Sequence, residues 1–369
     1  MRTRSIRIST AAVALAVWFV AAGPAAAQTS DAYKLAAAGN AALKEKRYAE
    51  ALGAYTEAAR LLPREAMLHY LVGYTSYLMG QFNDARAPLE RALSLDAKLT
   101  SASTVLGLVL HRQGRIADAV KVLESGLTHA PTDKDLTDLL ARWRPEVQAQ
   151  SRFFESRGAH FSVLFEGPAD DLTARRIIEL LEAAYWRIGR ALTTYPTEPI
   201  PVVLYTREQF QALAGAPEWA AAVYDGRIKI PTVGAFDNPE RLKRTLAHEF
   251  AHAVVAQIAG TAAPHWLNEG LAELLESDDF SSVQQILARS PRRLPHASLE
   301  HSFSRLPADD VPLAYAQSAL AVKRMIDLRG ASAIVNLLRE IGRGVAFDAA
   351  FQQSIFMRYN EFVASLARN

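Results

Sequence analysis

Gly39, Gly73 and Gly107 stand 34 residues apart, and the interval governs more than the glycines. Ala51, Ala85 and Ala119 keep the same step, as do Ala58 and Ala92, whose next equivalent is another small residue, Gly126. A step of that length marks repeated units that stack on their neighbours. Small side chains at fixed phases mark the places where two helices approach closely. Tyr55, Leu89 and Leu123 recur at the same step and are expected to fill the gaps between neighbouring units. The spacing predicts helix pairs over 33–44 with 48–61, 66–79 with 82–95, and 100–112 with 116–129. Pro63 and Pro131 close the first and third units, and "APTDKDLTDLLARWRPEV" follows as a solvating cap helix.

The period and its small-residue phases resemble the tetratricopeptide repeat over about residues 32–148, although the tryptophan usual early in each unit is missing. The resemblance implies an α-helical repeat array, a TPR solenoid of three units plus cap assigned to 32–150. Its concave face would take a peptide, a partner protein or the neighbouring domain. The alternative is a spacer or a lid.

Ahead of the repeats, Arg2, Arg4 and Arg7 precede the apolar run "AAVALAVWFVAAG", and small residues end at Ala27. That layout predicts a signal peptide over 1–27, cleaved before Gln28, with an exported chain, periplasmic or secreted, and no membrane span once it is removed. A retained N-terminal anchor is the alternative. Removing the three arginines turns a formal net charge of +2 into about −1, and no other basic tract suggests a nucleic-acid footprint. The absence of cysteine excludes disulfides, thiolate metal sites and a cysteine nucleophile, so a bound metal would be held by nitrogen and oxygen.

From Phe153 the pattern changes. "HFSVLF" (160–165) and "IPVVLY" (200–205) read as strands and "DGRIKIP" (225–231) as a turn leading into a strand that stops at Pro231, and they alternate with amphipathic helical stretches. In the helix at 171–192, Leu172, Ile177, Leu180, Leu181, Ala184 and Ile188 are placed on one broad apolar side. These elements predict an α+β domain over 153–369 with a small mixed sheet. A helix then begins at Asn238 as N-cap with Pro239 in its first position, ends at Gly260, and buries Leu242, Leu246, Phe250, Val254 and Ile258. At 100° per residue, His248 and His252 project about 40° apart and one turn from each other, with Glu249 beside them. Two neutral imidazoles beside a carboxylate suit a zinc ion and the general base that would work with it. A hydrated His-Glu-His edge on an ordinary helix is the plain alternative.

With "PHWLNEGLAELLES" (264–277) downstream, the second domain resembles a gluzincin, the thermolysin-type HExxH metallopeptidases of the peptidase MA-like group. The resemblance covers about 155–330 and implies a zincin-like fold with an HExxH active-site helix. It implies Zn2+ held by His248, His252 and Glu269, with Glu249 as general base and Glu273 orienting the first histidine. Sixteen residues separate His252 from Glu269 where better-known aminopeptidases have eighteen, which leaves His265, otherwise an exposed loop histidine, as a rival ligand. Tyr315 is either an oxyanion donor or a packed aromatic, and "GRIKIP" either a substrate-pairing edge strand or plain sheet. The function implied is zinc-dependent hydrolysis of peptide bonds in a peptide or protein substrate. The alternative is a non-catalytic TPR interaction protein with an inactive metallopeptidase-like domain.

Overall fold

The structure, a computed structural model, describes residues 24–167, 170–213, 221–232, 238–290 and 292–366. The basic start and apolar run read as a signal peptide lie outside them. By its contacts the chain divides into two compact units between Val147 and Gln148.

The first unit is a helical array: α1 (Pro24–Lys44), α2 (Tyr48–Leu61), α3 (Ala66–Leu78), α4 (Phe82–Leu95), α5 (Thr100–Arg112), α6 (Ile116–His129) and α7 (Lys134–Gln150), whose C-terminal turn runs into the second unit. Each predicted pair is present, although α1 begins upstream of the expected residue 33. A Cβ on Gly39 would come within 2.6 Å of the Tyr55 ring, one on Gly73 within 2.5 Å of Leu89, and one on Gly107 within 2.7 Å of Leu123. These large side chains therefore press on the glycine of their own unit, sixteen residues upstream, rather than only filling gaps between units. The close approach of the paired helices depends on the missing side chain. Ala51, Ala85, Ala119, Ala58 and Ala92 are fully buried.

The second unit is built on a five-stranded mixed sheet of order β1-β2-β3-β5-β4: β1 (Phe154–Arg157), β2 (Phe161–Phe165), β3 (Ile200–Tyr205), β4 (Val223–Tyr224) and β5 (Ile228–Pro231). β2, β3 and β5 run parallel, and β1 and β4 are antiparallel additions at the two ends. The exposed, charged "FESR" of β1 and the two residues of β4 carry no alternation from which a strand could be read. β5, the "IKIP" part of "GRIKIP", has neighbours on both sides, so it is not the edge strand; β4 is.

On the sheet and around it pack α8 (Asp171–Leu192), α9 (Arg207–Leu213), α10 (Pro239–Ala259), α11 (His265–Leu275), α12 (Ser281–Arg289), α13 (His296–Leu299), α14 (Val311–Arg329), α15 (Ala331–Gly342), α16 (Phe347–Ile355) and α17 (Tyr359–Leu366). α8 buries Ala174, Ile177, Leu181, Ala184 and Ile188, but Leu172 is 79% exposed. At 100° per residue Leu172 points about 140° away from Ile177, off the buried stripe. α10 is capped as expected: the Asn238 side chain accepts from the Arg241 N–H at 2.9 Å, and Gly260 ends it at φ 59°. Among the described residues no helix is long and apolar enough to cross a membrane.

Candidate metal centre

α10 presents Leu242, Leu246, Phe250 and Val254 to the core, which fixes the helix's rotation about its axis. The adjoining face, carrying His248, Glu249 and His252, then has to meet α11. α11 is anchored by Trp266, fully buried and stacked at 6.1 Å on Tyr359, and by close packing of α14 against Gly270, where a Cβ would fall 2.4 Å from the Ser318 carbonyl oxygen. With both helices held, Glu269 faces the two imidazoles.

Glu269 Oε2 lies 3.7 Å from His248 Nε2 and 3.5 Å from His252 Nε2. The imidazole rings stand edge to face, with centroids 4.8 Å apart. Those N···O separations are long for hydrogen bonds. A tetrahedron with metal–ligand bonds of about 2.0–2.1 Å has edges of roughly 3.3–3.4 Å, so the spacing suits three ligands of one ion. His248, His252 and Glu269 offer ligand atoms that all lie within 4.8 Å of one another. The donor set, two imidazole nitrogens and a carboxylate oxygen, fits zinc.

The other nitrogen of each ring is also engaged. His252 Nδ1 meets Asn268 Oδ1 at 3.1 Å, and His248 Nδ1 meets Glu276 Oε2 at 3.3 Å. An oxygen at Nδ1 places a proton there and turns Nε2 towards Glu269. The carboxylate that meets His248 Nδ1 is thus that of Glu276 rather than Glu273. On a helix, residues 269, 273 and 276 share one face, and in this structure the one two turns on makes the contact. Glu273 stands nearby, with its ligand atom within 4.8 Å of those of His248 and Glu276.

The charges are unusual for so enclosed a place. Burial disfavours a charged His248, but the facing carboxylates of Glu269 and Glu276 outweigh it and push its pKa up to about 10. Burial likewise works against ionised Glu269, yet the two histidines hold its carboxyl well below the usual range. Glu269 and Glu276 thus favour a positive charge at His248. Glu249 is buried, and burial raises its pKa against the pull of His252 and His248; the Tyr224 backbone N–H, from β4, donates to it. Glu273 is raised to about 7 by burial and by the charge of Glu276. Tyr315, at the start of the second turn of α14, stands with its ring 6.2 Å from that of His248 and 5.0 Å from that of Phe303. Burial and the neighbouring Glu269 keep its phenol protonated.

His265 is neither an exposed loop residue nor one of this ligand group. It opens α11, is half-buried, and points Nδ1 at Glu269 Oε1 at 3.7 Å while its Nε2 accepts from the Phe303 N–H at 3.2 Å. Burial lowers its pKa, which keeps it neutral. Of the residues not singled out from sequence, Asn268 precedes Glu269 directly and Glu276 follows it by seven, a spacing that marks them only once the helix is known to face α10.

Residues 183–359 match the Peptidase MA superfamily, and this match spans α10, α11 and α14. The chain carries a Peptidase MA domain. Ahead of it, the helical array is TPR-like. The chain is 28% identical over 147 residues to the small glutamine-rich tetratricopeptide repeat-containing protein 2 of Mycosarcoma maydis, covering 40% of this chain and 41% of that protein. It is 25% identical over 114 residues to the Hsp70-Hsp90 organizing protein of Triticum aestivum, covering 31% and 20%. The chain thus spans less than half the length of these curated relatives. Among solved structures it is similar to the Arabidopsis OM64 TPR domain, with 23% identity, TM-score 0.32, and coverage of 32% of this chain and 98% of that one. The Sgt2 TPR domain of Aspergillus fumigatus matches with 25% identity, TM-score 0.32, and coverage of 38% and 87%.

Proposed function

We propose that the Peptidase MA domain is a gluzincin-type zinc metallopeptidase that hydrolyses peptide bonds. The observation that carries this is the placement of Glu269 Oε2 at 3.5–3.7 Å from both Nε2 atoms, a spacing that suits shared coordination. His248, His252 and Glu269 would hold the ion, with Glu276 and Asn268 fixing the two imidazoles. When bound, zinc supplies a Lewis acid that acidifies water and polarises a carbonyl.

The protein's own groups then do the remaining work. Glu249, buried and held by the Tyr224 N–H, takes a proton from the attacking water and returns it to the leaving amine. Tyr315 keeps its phenolic proton and donates it as a hydrogen bond to the oxyanion that forms at the carbonyl. β4, whose Tyr224 touches Glu249, is the strand beside which an extended substrate would lie, and "GRIKIP", for which the sequence left substrate pairing and plain sheet both open, is plain sheet.

The TPR-like array serves this domain as a protein- or peptide-binding module or as a lid, and its likeness to TPR relatives favours protein partners. With its expected leader removed, the protein acts in the periplasm or outside the cell. The rival function is a non-catalytic interaction protein. Metal analysis of the purified protein, followed by digestion of a general peptide library, separates the two. About one zinc per chain together with cleavage supports the peptidase. Zinc-free protein without cleavage, after reconstitution has been attempted, supports the interaction protein.

A further inference from the structure

The two oxygens of Glu269 face different partners. Oε2 looks towards His248 and His252, whereas Oε1 looks towards His265 Nδ1, four residues earlier on α11. The state of His265 follows from its other nitrogen. The Phe303 N–H donates to Nε2 at 3.2 Å, and a ring nitrogen that accepts carries no proton. The single proton of the neutral imidazole is therefore on Nδ1, the nitrogen that faces Glu269 Oε1 at 3.7 Å, a charge–dipole contact longer than a hydrogen bond. The ring also packs edge to face against Phe303 at 4.5 Å, and Phe303 packs in the same manner against Tyr315 at 5.0 Å. One side chain thus touches the Glu269 carboxylate, the backbone of the 3-10 turn Phe303–Arg305, and the ring that backs Tyr315.

We propose that His265 is a positioning residue of the metal centre: its Nδ1–H orients Glu269 through Oε1 so that Oε2 points at the paired imidazoles, while Nε2 ties this carboxylate to the turn behind Tyr315. The proposal rests on the metal-centre reading above. A carboxylate on a flexible glutamate stem has three rotatable bonds to arrest before it can coordinate. A polarised N–H facing its outer oxygen narrows them in advance, as a metal ligand's outer partners generally do. The arrangement also gives a reason for a histidine at this position. It offers a donor and an acceptor on opposite sides of one rigid ring.

The test separates the two contacts. In an otherwise intact protein, His265→Ala removes both, His265→Asn keeps an amide donor near the position of Nδ1, and His265→Gln keeps an acceptor near the position of Nε2. Zinc affinity is read by competition with a chelator, and the cobalt(II)-loaded proteins are compared by visible absorption. His265→Ala is expected to bind zinc about tenfold to a hundredfold more weakly. His265→Asn should regain most of that affinity and the wild-type cobalt spectrum. His265→Gln should regain thermal stability without regaining affinity. Zinc binding by His265→Ala within twofold of wild type would overturn the proposal. So would recovery of affinity by His265→Gln equal to that by His265→Asn, which would place the effect in the turn. If His265→Ala does not fold, the Asn and Gln variants alone decide. Wild-type protein that binds neither zinc nor cobalt would overturn the metal centre itself, an outcome distinct from one in which only the variants behave alike.

Discussion

Glu249 is enclosed by protein, beside two histidines, and its carboxylate is held by a backbone N–H from β4. Its replacement by glutamine keeps the shape and removes the base. Glu249→Gln should therefore retain zinc and lose peptide hydrolysis by about a thousandfold or more, since proton acceptance and return vanish together. Equal turnover by that variant on a genuine substrate would end the mechanism. Tyr315→Phe removes one donor, so kcat should fall by roughly 10²–10³-fold with zinc affinity unchanged; single-turnover assays with metal-loaded protein measure it. The two further carboxylates on α11 are distinguishable as well. Glu276 contacts His248 Nδ1 at 3.3 Å, so Glu276→Gln should weaken zinc binding about tenfold, and Glu273→Gln should weaken it less. The reverse ranking in a chelator titration would return the orienting role to Glu273.

At the scale of elements, the centre depends on two helices held in register by contacts remote from the chemistry. Gly270 lies on the side of α11 that meets α14, and an added methyl group would collide with backbone, the Ser318 carbonyl oxygen at 2.4 Å. Alanine ordinarily favours a helix over glycine by about 1 kcal/mol. Here the collision outweighs that gain, and Gly270→Ala should destabilise by about 1–3 kcal/mol in chemical denaturation and weaken zinc binding through displacement of Glu269. A variant as stable as the parent would show that α14 can move aside. The helices themselves were legible beforehand because their signals are local. Asn238-Pro239 and Gly260 bracket α10, and a 34-residue step spaces the helices of the array. β1 and β4 were not, because a short strand at the end of a sheet is stabilised by the strand beside it and needs no apolar alternation of its own.

For the whole molecule, each unit has its own set of buried residues. Tyr55, Leu89 and Leu123 are at the heart of one, and Phe161, Phe250 and Trp266 belong to the other. Calorimetry should resolve two transitions. Saturating zinc should raise only the transition of the Peptidase MA unit, by about 2.7 kcal/mol of stability at a hundredfold excess over Kd. Gly107→Leu, which forces a side chain against Leu123, should lower only the other. A single transition moved by both perturbations would contradict the separation.

The sequence by itself determined the repeat and its phases, the caps of α10, and the convergence of His248 and His252 on one side of a helix. All of these are set by spacing along a single chain segment and by which residues can be buried. Assignment of Glu269 beside them came from resemblance, and only the tertiary structure brought its Oε2 to 3.5–3.7 Å from the two rings. The tertiary structure likewise decided that Glu276 meets His248, that β4 and not β5 is the edge, and that His265 faces Glu269 with one nitrogen and Phe303 with the other. The physical reason is that hydrogen-bond partners are chosen by the rotation and height of one packed element against another. Residues 265 and 303 meet because α11 and the turn before α14 share a core, and no periodicity within either segment records that meeting.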